Sequence, residues 1–152
     1  MRPKPVTASG TSNSSTTRWR HDGHLTVRPI GRVRSSLTDL AAAPKQGAES
    51  AQTAWIDYTP ELAAGFADIA VGDRLVVLTW LHHAQRDLLT VHPRDDPRNP
   101  LTGVFSTRSA DRPNPVGLHP VTVLAREHHA LQVTPLEAVN GTHVLDLKPL
   151  LT

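Results

Sequence analysis

Short apolar segments alternate with turn residues along most of the chain. The most apolar is 74–81 (RLVVLTWL), whose length and composition predict a central β-strand. Residues 60–66 (PELAAGF) predict a short helix, with Thr59 as its N-cap and Pro60 at its first position. Further strands are predicted at 25–33, 51–58, 88–92, 103–107, 121–126, 130–136 and 142–147. Many short strands with few helices indicate an all-β domain, in which an antiparallel sheet closes into a small β-barrel.

The first 24 residues differ in composition from the rest. Residues 7–17 are almost all Ser, Thr, Gly and Asn, which cannot bury enough apolar surface to offset the entropy of ordering them. We therefore predict a disordered tail at 1–24, dispensable for folding, and one barrel domain at 25–152. Long loops are uncommon in a compact domain without a function, so the loops at 35–50, 92–100 and 106–117 are candidate functional segments.

The charges are divided unevenly along the chain. Four of its 16 basic residues and one of its 14 acidic residues lie in 1–24, so 25–152 hold 12 basic and 13 acidic residues, a net −1. This balance neither requires nor excludes a nucleic-acid partner. The absence of Cys excludes disulfides, thiolate metal sites and thiol catalysis. Because no apolar segment is long enough for a membrane helix or a secretory signal, we expect a cytoplasmic protein with no membrane partner.

An arginine-rich turn is the first candidate for chemistry. Arg108 and Arg112 flank a turn stiffened by Pro113 and Pro115, with Asn114 between the two prolines. A guanidinium group binds carboxylate or phosphate in a forked geometry, and a rigid turn lowers the entropic cost of holding it ready. Arg112 and Asn114 are therefore candidate substrate-binding residues. The alternative is a surface turn whose arginines are merely solvated.

Two adjacent histidines, His82 and His83, end the predicted central strand. Side chains alternate along a strand, so one histidine should face inward and the other outward. Each is a candidate proton acceptor, since histidine ordinarily titrates near neutral pH, and each is equally a rim residue bonded to a carbonyl. The nine His show no metal-ligand spacing, so no metal site is predicted.

The C-terminal segment adds an acid and a base. Asn140 and Gly141 predict a tight hairpin turn before the last strand. Asp146 and Lys148 follow two residues apart, so they share one face of that strand. They form either a structural ion pair or a pair that fixes a base or a ligand amine.

Five blocks of the sequence are distinctive when they are taken together and in order. They are 29–36 (PIGRVRSS), 44–46 (PKQ), 80–83 (WLHH), 103–118 (GVFSTRSADRPNPVGL) and 140–149 (NGTHVLDLKP). They resemble the patterns IGxIRSP, PRQ, FxFH, GVFATRSPxRPNPIGLS and DGTPVLDIKP of the TsaA-like / TrmO family of S-adenosylmethionine-dependent methyltransferases, and the resemblance runs from about residue 27 to residue 150.

The resemblance implies a small β-barrel that binds S-adenosylmethionine and forms a homodimer, with the cofactor near the subunit interface. It implies N6-methylation of threonylcarbamoyl-modified adenosine beside the tRNA anticodon. Its cofactor-binding positions correspond to Gln46, Gly47, Ala48, His82, His83, Arg108, Asn140, Gly141, Thr142 and His143. Its active-site strand corresponds to Asp146 and Lys148, which with His82 are the expected catalytic residues.

Several positions depart from the family pattern. Lys45 replaces an Arg, Gly47 and His143 each replace a Pro, and Asn140 replaces an Asp. The loop at 92–100 also differs from the family's Gly-rich stretch. With a near-neutral domain, these departures keep two alternatives to a tRNA acceptor open. One is methylation of a small metabolite, and the other is a non-catalytic module that binds S-adenosylmethionine.

Overall fold

The computed structural model describes residues 23–38 and 52–151. Its strands are β1 (Gly31–Arg34), β2 (Ala54–Asp57), β3 (Arg74–Trp80), β4 (Thr90–Val91), β5 (Thr102–Gly103), β6 (Val116–Glu127), β7 (Ala130–Thr134) and β8 (His143–Pro149). One short helix, α1 (Ala63–Phe66), follows a 3-10 turn at Pro60–Leu62. The prediction of a mainly β domain with one short helix is confirmed.

Six strands form one antiparallel sheet in the order β1-β2-β7-β6-β3-β8, and β8 pairs with β1, so the sheet closes into a barrel. β3 lies between β6 and β8 and pairs with both along its length. β4 and β5 form a separate two-stranded sheet. Both β3 and β8 therefore deliver residues to the same end of the closed sheet.

The alternation of β3 explains its central place. Leu75, Val77 and Thr79 face inward and are buried, while Val76, Leu78 and Trp80 face the outer side. The inward positions join a core built mainly from Val, Leu, Ile and Ala, which the low aromatic content of the sequence requires. The interior is therefore filled by side chains and gives β3 fixed ends from which the loops extend.

The short helix is confirmed, with Thr59 at its N-cap position, but the Thr59 side chain does not cap it. Pro60 starts the 3-10 turn, whereas Thr59 makes no side-chain hydrogen bond to the first turn. The hydroxyl is not needed there because a 3-10 turn closes its own i to i+3 bond, from the Leu62 amide to the Thr59 carbonyl. Within residues 23–38 and 52–151, no helix is long and apolar enough to cross a membrane.

Three strand predictions were wrong in extent or pairing. The first strand starts at Gly31, and residues 23–30 before it have no regular structure. Residues Val104–Ser106 form a 3-10 turn instead of a strand. β6 starts at Val116, because its Pro120 occupies an outward position opposite Val76 without ending the strand.

Asn140 and Gly141 form a turn, but not a hairpin. Gly141 has φ +87°, the left-handed conformation that favours glycine. The strands on either side of this turn do not pair with each other: β7 pairs with β2 and β6, and β8 pairs with β1 and β3. The turn therefore carries the chain across one end of the barrel.

Candidate functional site

Two loops meet at the end of the barrel where β3 stops. The Leu81 amide donates to the Pro115 carbonyl at 2.9 Å, and the Arg112 amide donates to the Gln85 carbonyl at 3.0 Å. The Gln85 amide in turn donates to Asp111 Oδ1 at 2.8 Å. The connection after β3 and the Arg-Pro-Asn-Pro turn are thus held together by hydrogen bonds at both ends of the contact.

Arg86 closes this contact and was not among the predicted site residues. Its Nε donates to the Pro113 carbonyl at 2.8 Å, and its Nη2 donates to Asn114 Oδ1 at 3.3 Å. Its guanidinium carbon lies 4.9 Å from the centroid of the Trp80 ring. The sequence contains no local signal for this role, because the partners of Arg86 lie 27 and 28 residues further along the chain.

Arg112 uses its side chain to fix the loop that it belongs to. Its Nε donates to the Ser109 carbonyl at 2.8 Å, and its Nη2 donates to the carbonyls of Val104 at 2.8 Å and Thr107 at 2.6 Å. Substrate binding by Arg112 and by the exposed Asn114 stays a prediction. In the structure, two of the three guanidinium nitrogens of Arg112 are already bonded to carbonyl oxygens.

Arg108 has a different environment, although it lies four residues from Arg112. It is exposed, and no hydrogen bond or ion pair engages it within the described part of the chain. Its side chain lines an open cleft of about 410 Å³ together with Arg94 and the hydroxyl-bearing residues Ser106, Thr107 and Ser109. Arg108 therefore keeps its donors available for a ligand.

His82 and His83 lie beyond the end of β3, so the expected alternation of one inward and one outward side chain is wrong. The strand ends at Trp80, both histidines are exposed, and their ring centroids are 4.0 Å apart. The pKa of His82 is lowered by partial burial and then by the nearby His83 and His143. This lowering favours the neutral form of the His82 ring, which can accept a proton.

His143 brings the start of β8 to the same place. It pairs with Trp80 on β3 and with Arg32 on β1. Its Nδ1 is buried and has no hydrogen-bond partner within residues 23–38 and 52–151. A buried polar atom without a partner is costly, so this nitrogen has unused capacity to bind a polar group. The structure thus brings three of the predicted residues together: His82, His83 and His143.

The turn before His143 is tied to the segment after β1. The Ser35 amide donates to Asn140 Oδ1 at 3.0 Å, and the Asn140 amide donates to the Leu37 carbonyl at 2.7 Å. Thr142 is buried, and its hydroxyl donates to the Val139 carbonyl at 2.6 Å. The predicted cofactor residues Gln46, Gly47 and Ala48 lie outside the described residues.

Asp146 and Lys148 lie apart from the histidines. They share the outer face of β8, as predicted, and Lys148 Nζ lies 3.2 Å from Asp146 Oδ2. Asp146 pairs with Leu78 and Lys148 with Val76, so both are further from the loop end than His143. They border an apolar groove of about 360 Å³ whose other walls include Ile30, Phe66 and Leu75. The predicted catalytic residues therefore fall in two places.

A polar pair inside the barrel was missed by the sequence analysis. His119 and Thr79 face inward from β6 and β3, and Thr79 Oγ1 lies 2.8 Å from His119 Nε2. Burial lowers the pKa of His119. Gly117 makes room for this pair, since a Cβ at Gly117 would lie 2.5 Å from Thr79 Oγ1 and 2.7 Å from His119 Nε2. The sequence held one signal for this pair: Gly117 and His119 are two positions apart, as residues on one face of a strand are. It was missed because the strand was predicted to start at residue 121, whereas β6 starts at Val116.

The described residues were searched for titratable side chains that could form a metal site. Within the described ranges, no group of three His, Cys, Asp or Glu side chains is placed to hold a metal ion.

Comparison with protein families gives one match to most of the chain. The model of the family described as the tRNA-methyltransferase O N-terminal domain matches residues 32–152. A solved structure of TrmO from Pseudomonas aeruginosa is similar with a TM-score of 0.62 and 26% identity, over 85% of this chain and 57% of that one. The chain thus spans little more than half the length of that protein.

Two archaeal relatives are more similar in sequence. A probable S-adenosyl-L-methionine-binding protein of Archaeoglobus fulgidus is 43% identical over 123 residues, which are 81% of this chain and 33% of that protein. A second one, of Methanothermobacter thermautotrophicus, is 39% identical over 128 residues, which are 84% of this chain and 91% of that protein. The chain thus spans a third of the first relative and most of the second.

Proposed function

Since the chain belongs to the tRNA-methyltransferase O N-terminal domain family, we propose that it binds S-adenosylmethionine at the loop end of the barrel and transfers its methyl group to a nitrogen atom. The observation that carries the proposal is the meeting of His82, His83 and His143 beside the Arg-Pro-Asn-Pro turn. The relatives from Archaeoglobus and Methanothermobacter, named as probable S-adenosyl-L-methionine-binding proteins, support the cofactor.

The residues at this end fit such a cofactor. It carries a carboxylate and an amine, which need donors and acceptors, and an adenine base. Arg108 supplies unengaged donors for an anionic group, and His143 Nδ1 is a buried polar atom that lacks a partner in the described residues. We propose that Arg108, His82, His83 and the segment from Asn140 to His143 hold the cofactor, with Gln46, Gly47 and Ala48.

Methyl transfer from a sulfonium, the chemistry that the bound cofactor supplies, asks the protein mainly for alignment of the acceptor. A nitrogen nucleophile also has to lose a proton. His82 is suited to accept it at Nδ1 or Nε2, because its lowered pKa favours the neutral ring. The Arg-Pro-Asn-Pro turn lies beside His82 and is held by hydrogen bonds to the connection after β3. This side of the site is therefore rigid.

The family name points to tRNA as the acceptor, and N6-methylation of its threonylcarbamoyl-modified adenosine is the reaction that the resemblance implies. The net −1 of residues 25–152 favours a second candidate, an anionic small metabolite that needs only one or two arginines. The names of the relatives favour a third, a module that binds S-adenosylmethionine without turnover.

We also propose a homodimer that buries the outer face of β3 and β6. Three cross-strand pairs on this face are entirely apolar: Val76 with Pro120, Leu78 with Leu118, and Trp80 with Val116. Leu118 is 47% exposed, and the face borders His143 and Asp146 on β8. A second copy seated there would lie beside the loop end. Light scattering of Leu118→Lys should show a monomer where the unmodified chain is a dimer.

Titration calorimetry with S-adenosylmethionine, followed by transfer of a labelled methyl group to bulk tRNA and to a metabolite extract, tests the proposal. His82→Ala should bind the cofactor more weakly, because His82 is among its proposed ligands, and it should lose transfer even when the cofactor is saturating. His128→Ala is the matched control, because His128 is an exposed histidine on the turn between β6 and β7. Cofactor binding with no transfer to either pool would support the non-catalytic module. No cofactor binding at all would refute the proposal.

A further inference from the structure

The segment that precedes β1 leaves the barrel without packing against it. We call residues 23–29 the arm; all seven are exposed, and none belongs to a helix or a strand. Leu25 is 96% exposed and Val27 is 61% exposed, although both side chains are aliphatic. Ile30 joins the arm to the barrel, where its amide donates to the Val144 carbonyl at 2.8 Å. The arm therefore presents two exposed apolar side chains from a fixed root.

The sequence of the arm alternates between apolar and polar residues. Leu25 and Val27 lie two positions apart, so an extended arm directs both to one side. The positions between and beside them are polar: His24, Thr26 and Arg28. Such alternation is typical of a segment with one face on an apolar surface. Within the described residues, nothing covers that face of the arm.

An open apolar groove lies at the root of the arm. Its volume is about 360 Å³, and no residue of the arm lines it. Its apolar walls come from the root itself, from the segment after β2, and from β3 and β8: Ile30, Leu62, Phe66, Ile69, Leu75, Leu147 and Pro149. The arm and the groove of one chain are thus adjacent, but each leaves its apolar surface open.

The charges of the arm and of one groove wall are opposite in sign. The arm carries His24 and Arg28 and no acidic residue. Residues 60–73, which form the wall after β2, carry three acidic residues and no basic one: Glu61, Asp68 and Asp73. None of these charged groups forms an ion pair within the described residues. Arg126 also reaches this wall, but its side chain bonds to two backbone carbonyls there.

The groove borders the face that the proposed homodimer buries. Lys148 on the rim of the groove pairs with Val76 on β3, and Val76 with Pro120 is one of the apolar pairs of that face. In a two-fold dimer each copy presents the same patch to the other, so both arm roots and both grooves lie along one interface. An extended arm of seven residues spans up to about 25 Å, which lets it cross that edge to the second barrel.

We propose that each copy of the chain places its arm in the groove of a second copy, with Leu25 and Val27 against the apolar walls and Arg28 beside the carboxylates of residues 60–73. Side chains make this contact, and each barrel keeps its own strand pairs. The inference rests on the homodimer of the proposed function, to which it adds the segment that each subunit donates and the surface that receives it.

Disulfide cross-linking tests which barrel receives the arm. The chain has no cysteine, so every introduced pair can be identified. Gly65 lines the groove, and a Cβ there meets no neighbouring group within 4 Å, so Gly65→Cys fits. A mixture of Leu25→Cys chains with Gly65→Cys chains, mildly oxidised, should give a dimer on a non-reducing gel. Mass spectrometry should find a tryptic peptide that links residues 25 and 65, since a disulfide needs Cα atoms within about 7 Å.

The control mixture combines Gly65→Cys with Leu101→Cys. Leu101 is as exposed as Val27 and does not line the groove, so this mixture should give no such link. An equal yield from both mixtures would mean random collision and would overturn the proposal. The double variant Leu25→Cys/Gly65→Cys covers the other occupant. If it forms the 25–65 link inside one monomer, the arm covers its own groove and the exchange is wrong.

Sedimentation measures what the arm contributes to the dimer. Leu25→Asp/Val27→Asp should raise the dimer Kd more than tenfold, because two apolar side chains lose their burial, while the melting temperature of the monomer stays unchanged. Gly65→Leu fills the groove with a good helix former and should also weaken the dimer. Leu101→Asp, the matched control, should leave the Kd unchanged. An unaltered Kd in the arm variant would overturn the proposal.

Leu118→Lys separates this inference from the homodimer on which it rests. If Leu118→Lys dissociates the dimer and the arm variant does not, the homodimer stands and the exchange fails. If the arm variant dissociates the dimer and Leu118→Lys does not, the exchange stands and the outer-face dimer fails. A chain that stays monomeric at all concentrations and forms no 25–65 link refutes both. Cofactor binding, measured separately by calorimetry, decides the rest of the proposed function.

Discussion

The two halves of the loop at 106–117 are held in contrasting ways. The second half, from Asp111 to Pro115, is bonded to the connection after β3 through Leu81, Gln85 and Arg86. The first half, from Ser106 to Ala110, faces an open cleft, and its Arg108 has no partner in the described residues. Two arginines only four positions apart thus differ in their bonding: Arg112 is bonded to carbonyl groups, and Arg108 is not.

The contrast indicates that the hydrogen-bonded second half of the loop positions the side chains of the open first half. The guanidinium of Arg112 satisfies carbonyls on both sides of Arg108 and so sets the direction in which that side chain leaves the backbone. Binding groups need such support, because a donor misplaced by a flexible turn loses much of its value. Substitutions in the two halves should therefore separate stability from binding.

The largest effect should follow from Arg112→Ala. The variant loses three hydrogen bonds from a charged group, each of the kind that contributes about 1.5–3 kcal/mol. Both the free energy of unfolding and the affinity for S-adenosylmethionine should fall, since the turn that carries Arg108 loosens. Arg112→Lys should not rescue either, because an ammonium group cannot bond to three carbonyls in a fork. Normal stability with weakened binding would instead place Arg112 in direct contact with a ligand.

Gly117→Ala should lower the free energy of unfolding, because Gly117 lies near the start of β6, next to the hydrogen-bonded half of the loop. The added Cβ would lie 2.5 Å from Thr79 Oγ1 and 2.7 Å from His119 Nε2, so side chains inside the barrel have to move. Overpacking of this kind costs about 1–3 kcal/mol, measurable by urea unfolding. Combining it with His119→Ser should recover part of the loss, since one of the two contacts is removed. A fully stable single variant would show that the interior has more space than the distances allow.

Arg108→Ala should affect binding alone. Its side chain is exposed and unpaired in the described structure, so the melting temperature should stay within error. The affinity for S-adenosylmethionine should fall more than tenfold, because a lost hydrogen bond from a charged group costs about 1.5–3 kcal/mol. An unchanged affinity in calorimetry would remove Arg108 from the cofactor site and would break the contrast between the two arginines.

Acid should weaken the barrel through His119. Burial lowers the pKa of His119 in the folded state, so below the unfolded value of about 6.5 the unfolded chain binds the extra proton more readily. Stability is therefore fully present above about pH 6.5 and is lost as the pH falls towards the lower folded value. Urea unfolding at several pH values should show a shallower loss in His119→Gln than in the unmodified chain.

Asp146→Asn should lower the free energy of unfolding only slightly. The ion pair with Lys148 has side chains 49% and 65% exposed, and exposed pairs contribute about 0.2–1 kcal/mol. If the pair is catalytic, methyl transfer falls far more than stability while cofactor affinity holds. Transfer equal to that of the unmodified chain would leave Asp146 and Lys148 as a structural pair on the outer face.

The strands were predictable where one face is buried. β3 was predictable from its apolar run and β8 from its alternation of apolar and polar residues, and both strands lie within two residues of their predicted positions. The start of β6 was not predictable, because Pro120 suggests a break in sequence. Only the pairing partners show that it occupies an outward position where its ring is tolerated.

The candidate site was predictable in its residues but not in their bonds. The motif at 103–118 singled out Arg108 for the cofactor and Arg112 for the substrate, but it did not show that Arg112 is bonded to carbonyls while Arg108 has no partner in the described residues. That difference depends on how the loop folds back on itself. Arg86 was missed as a site residue for the same reason: its role arises from contacts across loops, which no local pattern encodes.

The closed order of the six strands affects how copies of the protein can associate with one another. A sheet in which β1 bonds to both β2 and β8 offers no free edge to a foreign strand, and the β4–β5 ribbon is only two residues long on each side. Strand exchange and edge-to-edge polymerisation, the common routes to fibrils, therefore have little to start from. Self-recognition is left to side chains, whose shapes can specify one partner and one orientation.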